Sequence, residues 1–187
     1  MQIITSTNFI SETPTAVALG TFDGVHLGHR AVILAAVEAA EKERLCPAVF
    51  TFSELPKNAF LPPEKRVWPL LSLNEKLRLM EEIGAKLVVA PPFAAPLRDM
   101  PAEDFIRETL IGKLAAKHIV CGFDHRFGAN AAGDAELLTR VCREEGVSVT
   151  VVPPVMRGGI CVSSTAIRRL IEEGRIETAR ELLGHEI

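Results

Sequence analysis

The feature that most constrains this fold is the alternation of short apolar segments with helix-like segments along the chain. The apolar segments have the length of strands and cover 15–21, 46–52, 87–90, 117–122 and 147–152. The helix-like segments lie between and after them, at 27–44, 72–84, from 101 onward, 134–145, 163–173 and 176–183. Near-continuous apolar strands are typical of a parallel sheet that helices cover on both faces. The pattern therefore predicts an α/β fold with a parallel sheet.

Local signals set the limits of several elements. Ser72, followed by Glu75 three residues later, predicts a capping box at the start of a helix that Gly84 ends. Pro101 is predicted at the first position of the next helix. Residues 53–71 contain several prolines, which exclude a single regular element there. Because no linker, repeat or low-complexity tract divides the chain, we expect one domain over 1–187 with an irregular proline-containing loop at 53–71.

Composition excludes several classes of protein. The 187 residues are 48% hydrophobic and 24% charged, which is ordinary for one globular domain and argues against disorder. The longest uninterrupted apolar run, 31–37, is too short to span a membrane, and the N-terminus lacks the basic-then-apolar order of a signal peptide. A net charge of −3 without a basic run indicates no nucleic-acid partner. We therefore expect a cytoplasmic protein, and the oligomeric state stays open.

The cysteines do not form a metal-binding or disulfide pattern. Cys46, Cys121, Cys142 and Cys161 include no C-x-x-C pair, and two of them lie in strand-like segments. Buried, reduced thiols are therefore the better interpretation of these residues.

The strongest functional signal lies where the first of these strands passes into a helix. The segment 20–29 reads Gly-Thr-Phe-Asp-Gly-Val-His-Leu-Gly-His, and its glycines permit a tight turn and the close approach of a ligand. His26 and His29 are three residues apart on the first helical turn, so both rings can face one side. Two imidazoles at a helix N-terminus suit a phosphate whose charge grows in a transition state. A zinc site is the weaker alternative, because no third ligand has a suitable spacing.

A second anion site is predicted at the start of a later helix. Ser163, Ser164 and Thr165 place three hydroxyl groups at a helix N-terminus whose N–H groups are free. Arg168 follows about one turn later, within reach of a phosphate. The alternative is a simple N-cap followed by a surface arginine. Together with the histidine pair, the hydroxyl cluster favours a triphosphate ligand.

The string His26-Leu-Gly-His29, placed after a strand, resembles the H-x-G-H signature of the nucleotidylyltransferase superfamily. The longer string from Gly20 to His29 resembles the bacterial FAD synthetases in particular. This resemblance implies a Rossmann-like three-layer α/β sandwich with a parallel sheet, in agreement with the strand–helix pattern. It also implies that the two histidines and the helix start hold the phosphates of ATP while the α-phosphorus is attacked.

Two further motifs extend the resemblance over nearly the whole chain. The segment 122–128, Gly-Phe-Asp-His-Arg-Phe-Gly, resembles the family's Gly-x-Asp/Asn-Phe-Arg-Phe-Gly loop, in which the position of Asp124 helps hold the nucleotide or its metal. His125 replaces the first phenylalanine and is assigned no role, and Arg126 either holds a phosphate or caps the loop. The segment 162–168, Val-Ser-Ser-Thr-Ala-Ile-Arg, resembles the family's Ile/Val-Ser-Ser-Thr-x-Ile-Arg motif.

The chain departs from the family pattern in two places. A Pro-His-Pro string usually follows Thr-Phe after the second strand, on the flavin side of the family's site. Here 51–57 reads Thr-Phe-Ser-Glu-Leu-Pro-Lys, so Leu55 stands in place of the histidine and weaker FMN binding is expected. Bifunctional members continue into a riboflavin kinase domain, whereas this chain ends at residue 187. A stand-alone enzyme and a piece of a longer one both stay open.

The resemblance implies an FMN adenylyltransferase that transfers AMP from ATP to FMN, giving FAD and pyrophosphate, with Mg²⁺ as cofactor. The predicted catalytic residues are His26, His29, Ser164 and Arg168. The predicted nucleotide-binding residues are Gly20, Thr21, Phe22, Asp23, Gly28, Gly122, Asp124, Arg126, Ser163 and Thr165. The predicted flavin contacts are Pro56 and Asn58, and the predicted metal ligands are Asp23 and Asp124. The alternatives are a cytidylyl- or adenylyltransferase with another phosphorylated acceptor and a non-catalytic nucleotide- or flavin-binding protein.

Overall fold

The computed structural model describes residues 1–186 and contains one six-stranded parallel sheet. Its strands are β1 (Gln2–Ile4), β2 (Thr15–Leu19), β3 (Cys46–Phe50), β4 (Leu87–Val89), β5 (Ala116–Gly122) and β6 (Ser148–Val152). They lie side by side in the order β1-β4-β3-β2-β5-β6, and every pairing is parallel. The parallel sheet predicted from the apolar strands is therefore confirmed.

Helices cover both faces of this sheet. They are α1 (Leu27–Glu43), α2 (Leu73–Ile83), α3 (Ala102–Asp104, continuing as a π-helical segment Phe105–Lys113), α4 (Ala135–Glu144), α5 (Ser164–Glu172) and α6 (Ile176–Leu183). Successive strand residues point to opposite faces. Val17 and Leu19 of β2 pack in one core with α3 and α4, while Ala18 packs in a second core with α1 and α2. This confirms the three-layer α/β sandwich.

The order of the strands fixes where a ligand can bind. From the central strand β2 the chain moves to β3 and β4 on one side, and it later builds β5 and β6 on the other side. The connections that leave the ends of β2 and β5 therefore diverge, and a crevice opens between them at the carboxyl edge of the sheet. The two motif segments 20–26 and 122–126 both begin at this crevice.

Several caps confirm the sequence-based limits, and some details differ. Ser72 and Glu75 form the predicted capping box, and Gly84 ends α2. Pro101 is the N-cap of α3 rather than its first helical residue, with φ −54° and ψ 148°. Residues 53–71 contain only two short 3₁₀ segments, Pro56–Phe60 and Pro63–Lys65.

The sequence analysis missed three short strands. β1 has only three residues and is largely exposed, so it has no apolar pattern to detect. β7 (Met156–Arg157) and β8 (Ile160–Cys161) form a two-stranded hairpin around Gly158 and Gly159. Both strands are shorter than the four residues at which an alternating pattern becomes recognisable.

Two further expectations concern the burial of the cysteine thiols and the presence of a membrane-spanning helix. All four cysteines are free thiols, and Cys121 and Cys142 are buried as expected, but Cys46 is only half-buried and Cys161 is exposed. It is exposed because it ends the small hairpin, outside the main sheet. Within the part of the chain that the structure describes, no helix combines the length and the apolarity that a membrane crossing requires.

Candidate active site

The turn after β2 has a strained backbone that brings several polar groups to one point. Phe22, Gly24 and Val25 have φ values of 49°, 89° and 39°, in the left-handed region that disfavours side chains with a Cβ. A Cβ on Gly24 would also lie 2.8 Å from the Leu70 side chain. The turn thereby delivers His26 to the N-cap position of α1.

His26 and His29 form a stacked pair. The ring centroids are 3.5 Å apart with 15° between the planes, so both rings lie on one side of the helix, as the spacing predicts. The Nδ1 atom of His26 accepts the backbone N–H of His29 at 3.2 Å. This acceptor role places the His26 proton on Nε2. The edge of the His29 ring meets Phe22, with centroids 5.3 Å apart.

The lowered pKa values of His26 and His29 leave both rings uncharged near pH 7. Burial lowers the pKa of His26 to about 4, against a smaller raising effect of Asp23. Burial, followed by the neighbouring His26 ring, also lowers the pKa of His29 well below its ordinary value. The Nδ1 atom of His29 is buried and has no hydrogen-bond partner in residues 1–186. This atom is enclosed by the protein, so His29 meets the cavity through other parts of its ring.

The pair opens into a cavity of about 480 Å³, here called the histidine cavity. Its wall includes every predicted nucleotide-binding residue together with His26, His29 and Ser164. The cavity also reaches Leu55, Pro56 and Lys57 of the proline-containing loop. Leu55 therefore lies on this side of the site, rather than on the flavin side that the resemblance implies.

Of the three hydroxyl residues at the start of α5, two bond to the protein backbone and one is exposed on the cavity wall. Ser163 caps the helix, because its Oγ accepts the backbone N–H of Ala166 at 3.2 Å. Ser164 donates its hydroxyl to the backbone carbonyl of Asp23 at 2.8 Å, which ties α5 to the turn after β2. Thr165 is exposed on the cavity wall. Thr165 and the first N–H groups of α5 are thus the groups available to an anion.

Arg168 is placed differently from the sequence prediction. Its guanidinium is buried, pairs with the Asp23 carboxylate at 2.5 Å and donates twice to the carbonyl of Trp68 at 2.6 and 3.1 Å. The Trp68 ring covers it, with 5.3 Å from Cζ to the ring centroid. Its Nη1 also donates to the carbonyl of Ser164 at 3.4 Å, and Arg168 does not line the histidine cavity. In this structure Arg168 therefore links α5 to the turn after β2.

Lys76 of α2 is a buried cation beneath the same turn, and the sequence analysis did not identify it. Its Nζ donates to the carbonyls of Thr21 and Phe52 and to the Thr51 hydroxyl, at 3.3, 2.7 and 3.2 Å. Burial lowers its pKa to about 8, although Asp23 raises it. Lys76 follows Leu73 by three residues and precedes Met80 by four, which places it on the apolar face of the helix. This spacing is the sequence feature that could have predicted a buried lysine.

A second cavity of about 510 Å³, here called the aromatic cavity, adjoins the first. Six of the nine phenylalanines line it, namely Phe50, Phe52, Phe60, Phe93, Phe105 and Phe127. Pro56 lines it as predicted, but Asn58 does not. The Asn58 amide instead makes two hydrogen bonds with the backbone of Val67, at 2.8 and 2.9 Å, and so holds the loop together.

The two cavities share one wall, here called the seam. Its residues are Leu19, Gly20, Thr21, Pro56, Lys57, His125 and Arg126. Arg126 is exposed and pairs with Asp134 at 3.2 Å. Lys57 is exposed and has no salt-bridge partner within the described residues. The basic side chains of Lys57 and Arg126 therefore lie where ligands bound in the two cavities would meet.

The carboxylates of the site fit a metal only in part. Both oxygens of Asp23 are occupied, one by Arg168 and the other by the backbone N–H of Leu70. Asp124 lines the histidine cavity and is exposed. No cluster of three metal-ligating side chains occurs in residues 1–186. A Mg²⁺ ion that takes most of its ligands from phosphates and water needs only one such carboxylate, and the exposed Asp124 is more available for this role than the buried, paired Asp23.

The FAD synthetase family model matches residues 9–166 of the chain. A bifunctional riboflavin kinase/FMN adenylyltransferase from Escherichia coli K12 is 34% identical over 188 residues, covering 99% of this chain and 60% of the relative. An FAD synthetase from Listeria monocytogenes is 31% identical over 167 residues, covering 89% of this chain and 67% of the relative. The chain thus spans about 60% of the length of its bifunctional relatives.

A solved structure supports the same relationship. The crystal structure of a protein from Streptococcus pneumoniae, described as a macrolide-efflux protein, superposes with a TM-score of 0.86 at 33% identity. The match covers 97% of this chain and 59% of that one. Sequence and fold agree over almost the full length, and the chain belongs to the FAD synthetase family.

Proposed function

We propose that this chain is an FMN adenylyltransferase. The observation that carries the proposal is the pair of adjoining cavities, one lined by histidines and a helix N-terminus and the other by phenylalanines. A nucleotide in the first and a flavin in the second would meet at the seam. There a phosphate oxygen of FMN forms a bond to the α-phosphorus of ATP, the bond from that phosphorus to the β-bridging oxygen breaks, and FAD and pyrophosphate result.

The histidine cavity supplies the groups that the nucleotide needs. Nε2 of His26 is left as a hydrogen-bond donor, because Nδ1 is already an acceptor. The His29 ring lines the same cavity, stacked on that of His26. A triphosphate between these rings and the start of α5 would meet N–H and O–H donors at both ends. Donors fixed before the reaction stabilise the charge that develops in the transition state, and the FMN phosphate needs no general base.

The aromatic cavity supplies the acceptor site. Its volume lies in the usual range for a ligand site, and its phenylalanine walls suit a flat apolar ring system. Lys57 and Arg126 of the seam would face the phosphate end of the flavin. Their positive charge offsets the repulsion between the FMN phosphate and the phosphates of ATP.

Mg²⁺ belongs to the same proposal. When bound to the phosphates, the ion neutralises negative charge on the pyrophosphate leaving group. Asp124 is the carboxylate that would hold it in place, since the Asp23 oxygens are taken. The proposed partners are ATP and FMN, and a cytoplasmic location is proposed from the composition and the free thiols.

The test is a grid of MgATP and MgCTP against FMN, riboflavin and other phosphorylated acceptors, with pyrophosphate detection and chromatography. The expected result is FAD from ATP and FMN and none from riboflavin, which has no phosphate to attack the α-phosphorus. His118→Gln is the matched control, because His118 lines neither cavity, and it should retain activity. A preference for CTP or for another acceptor would contradict FMN adenylylation. Binding of ATP and FMN without pyrophosphate release would indicate a non-catalytic binding protein.

A further inference from the structure

His125 lies on the seam and faces both cavities. It is held in the loop after β5, where its backbone N–H donates to the carbonyl of Gly122 at 3.1 Å. Its ring stacks on Phe127, with centroids 5.8 Å apart and 19° between the planes. The loop and the phenylalanine therefore fix the direction of the ring, in contrast to the long exposed side chains of Lys57 and Arg126.

The polar atoms of this ring have no partner in the protein. Within residues 1–186, neither ring nitrogen of His125 makes a hydrogen bond, whereas the rings of His26, His118 and His185 each make at least one. The His125 side chain is only half-buried and lines both cavities, so it is accessible to a ligand there. An imidazole ring carries at least one N–H in either of its protonation states, so His125 can donate a hydrogen bond to a ligand.

We propose that His125 is a specificity-determining residue that donates a hydrogen bond to the phosphate of the acceptor at the seam. The inference rests on the proposed function. A flavin ring in the aromatic cavity places its phosphate chain toward this wall, where the reaction must occur. Lys57 and Arg126 supply charge there, but exposed and flexible cations contribute little to discrimination. A donor held in a fixed direction instead distinguishes an acceptor with a phosphate from one without it.

Equilibrium binding of FMN and riboflavin to the whole chain tests this role. Flavin fluorescence gives both Kd values in the presence of a non-hydrolysable ATP analogue. His125→Phe keeps an aromatic ring against Phe127 but removes the N–H. It should raise the Kd of FMN about tenfold to a hundredfold. The Kd of riboflavin and that of the ATP analogue should stay within about twofold.

Two further variants separate a hydrogen bond from packing. His125→Gln keeps a side-chain N–H donor and should recover part of the preference for FMN. Phe60→Leu alters the wall of the aromatic cavity without touching the stack of His125 on Phe127, and it should weaken FMN and riboflavin equally. The role of His125 is overturned if His125→Phe weakens both flavins equally, weakens neither, or weakens only the ATP analogue. A wild-type chain that binds riboflavin and FMN equally well would also overturn it. Failure of the wild type to bind any flavin would overturn the proposed function as well.

Discussion

Replacing Arg168 with methionine tests whether this residue braces the first turn or holds a phosphate. Arg168→Met keeps an unbranched stem but leaves the buried Asp23 carboxylate without its cation. Removing one partner of a buried ion pair costs about 3–5 kcal/mol. In a chain of this size, each kcal/mol lowers Tm by about 2–4 °C. The expected fall in Tm is therefore on the order of 10 °C.

Thermal unfolding followed by circular dichroism measures this loss, and nucleotide titration below the transition measures the ATP affinity. The affinity should change less than tenfold, because Arg168 does not line the histidine cavity. A double-mutant cycle with Asp23→Asn isolates the pair, and the double variant should lose less stability than the sum of the two single variants. An unchanged Tm with a large loss of ATP affinity would refute this structural role and would indicate that Arg168 binds a phosphate of ATP.

Other predictions concern the histidines, the buried lysine and the loop. His29→Ala should lower kcat about a hundredfold with a smaller effect on ATP affinity, and a raised KM at unchanged kcat would contradict this. Burial holds the pKa of His26 and that of His125 at about 4 in the folded chain, so below pH 6.5 the unfolded chain binds protons first. Each residue should therefore lower the free energy of unfolding as the pH falls from 6.5 to 4, by at most about 1.4 kcal/mol per pH unit. Urea unfolding at several pH values checks this, and His125→Phe should reduce the slope. Lys76→Met leaves buried backbone carbonyls unpaired and should lower the free energy of unfolding in urea by about 1–3 kcal/mol or more. Leu55→His should alter the Kd of ATP more than that of FMN, because Leu55 lines the histidine cavity only, and the reverse order would place the loop on the flavin side.

The sheet and the first turn were predictable because their signals are local. Fully buried strands such as β2 have no polar face, and that pattern is characteristic of a covered parallel sheet. The spacing of His26 and His29 fixes their relative position on a helix, and the rings indeed stack. Neither inference required knowledge of how distant segments meet.

The parts that were missed depend on contacts between distant segments. The phenylalanines of the aromatic cavity come from positions 50 to 127, so only the folded chain shows that they share a wall. Arg168 could be placed about one turn into a helix, but its partners Asp23 and Trp68 are 145 and 100 residues away. β1 pairs with β4 through three residues, too few for any periodic signal.

The most direct test of adenylyl transfer is to follow the α- and γ-phosphorus atoms of ATP into the products. The chain is incubated with FMN, Mg²⁺ and ATP labelled at either the α- or the γ-phosphorus, and the products are separated by chromatography. If the FMN phosphate attacks the α-phosphorus at the seam, the α label enters FAD and the γ label appears only in pyrophosphate. Transfer of the γ label to the flavin, or release of the α label without a flavin adduct, would contradict it.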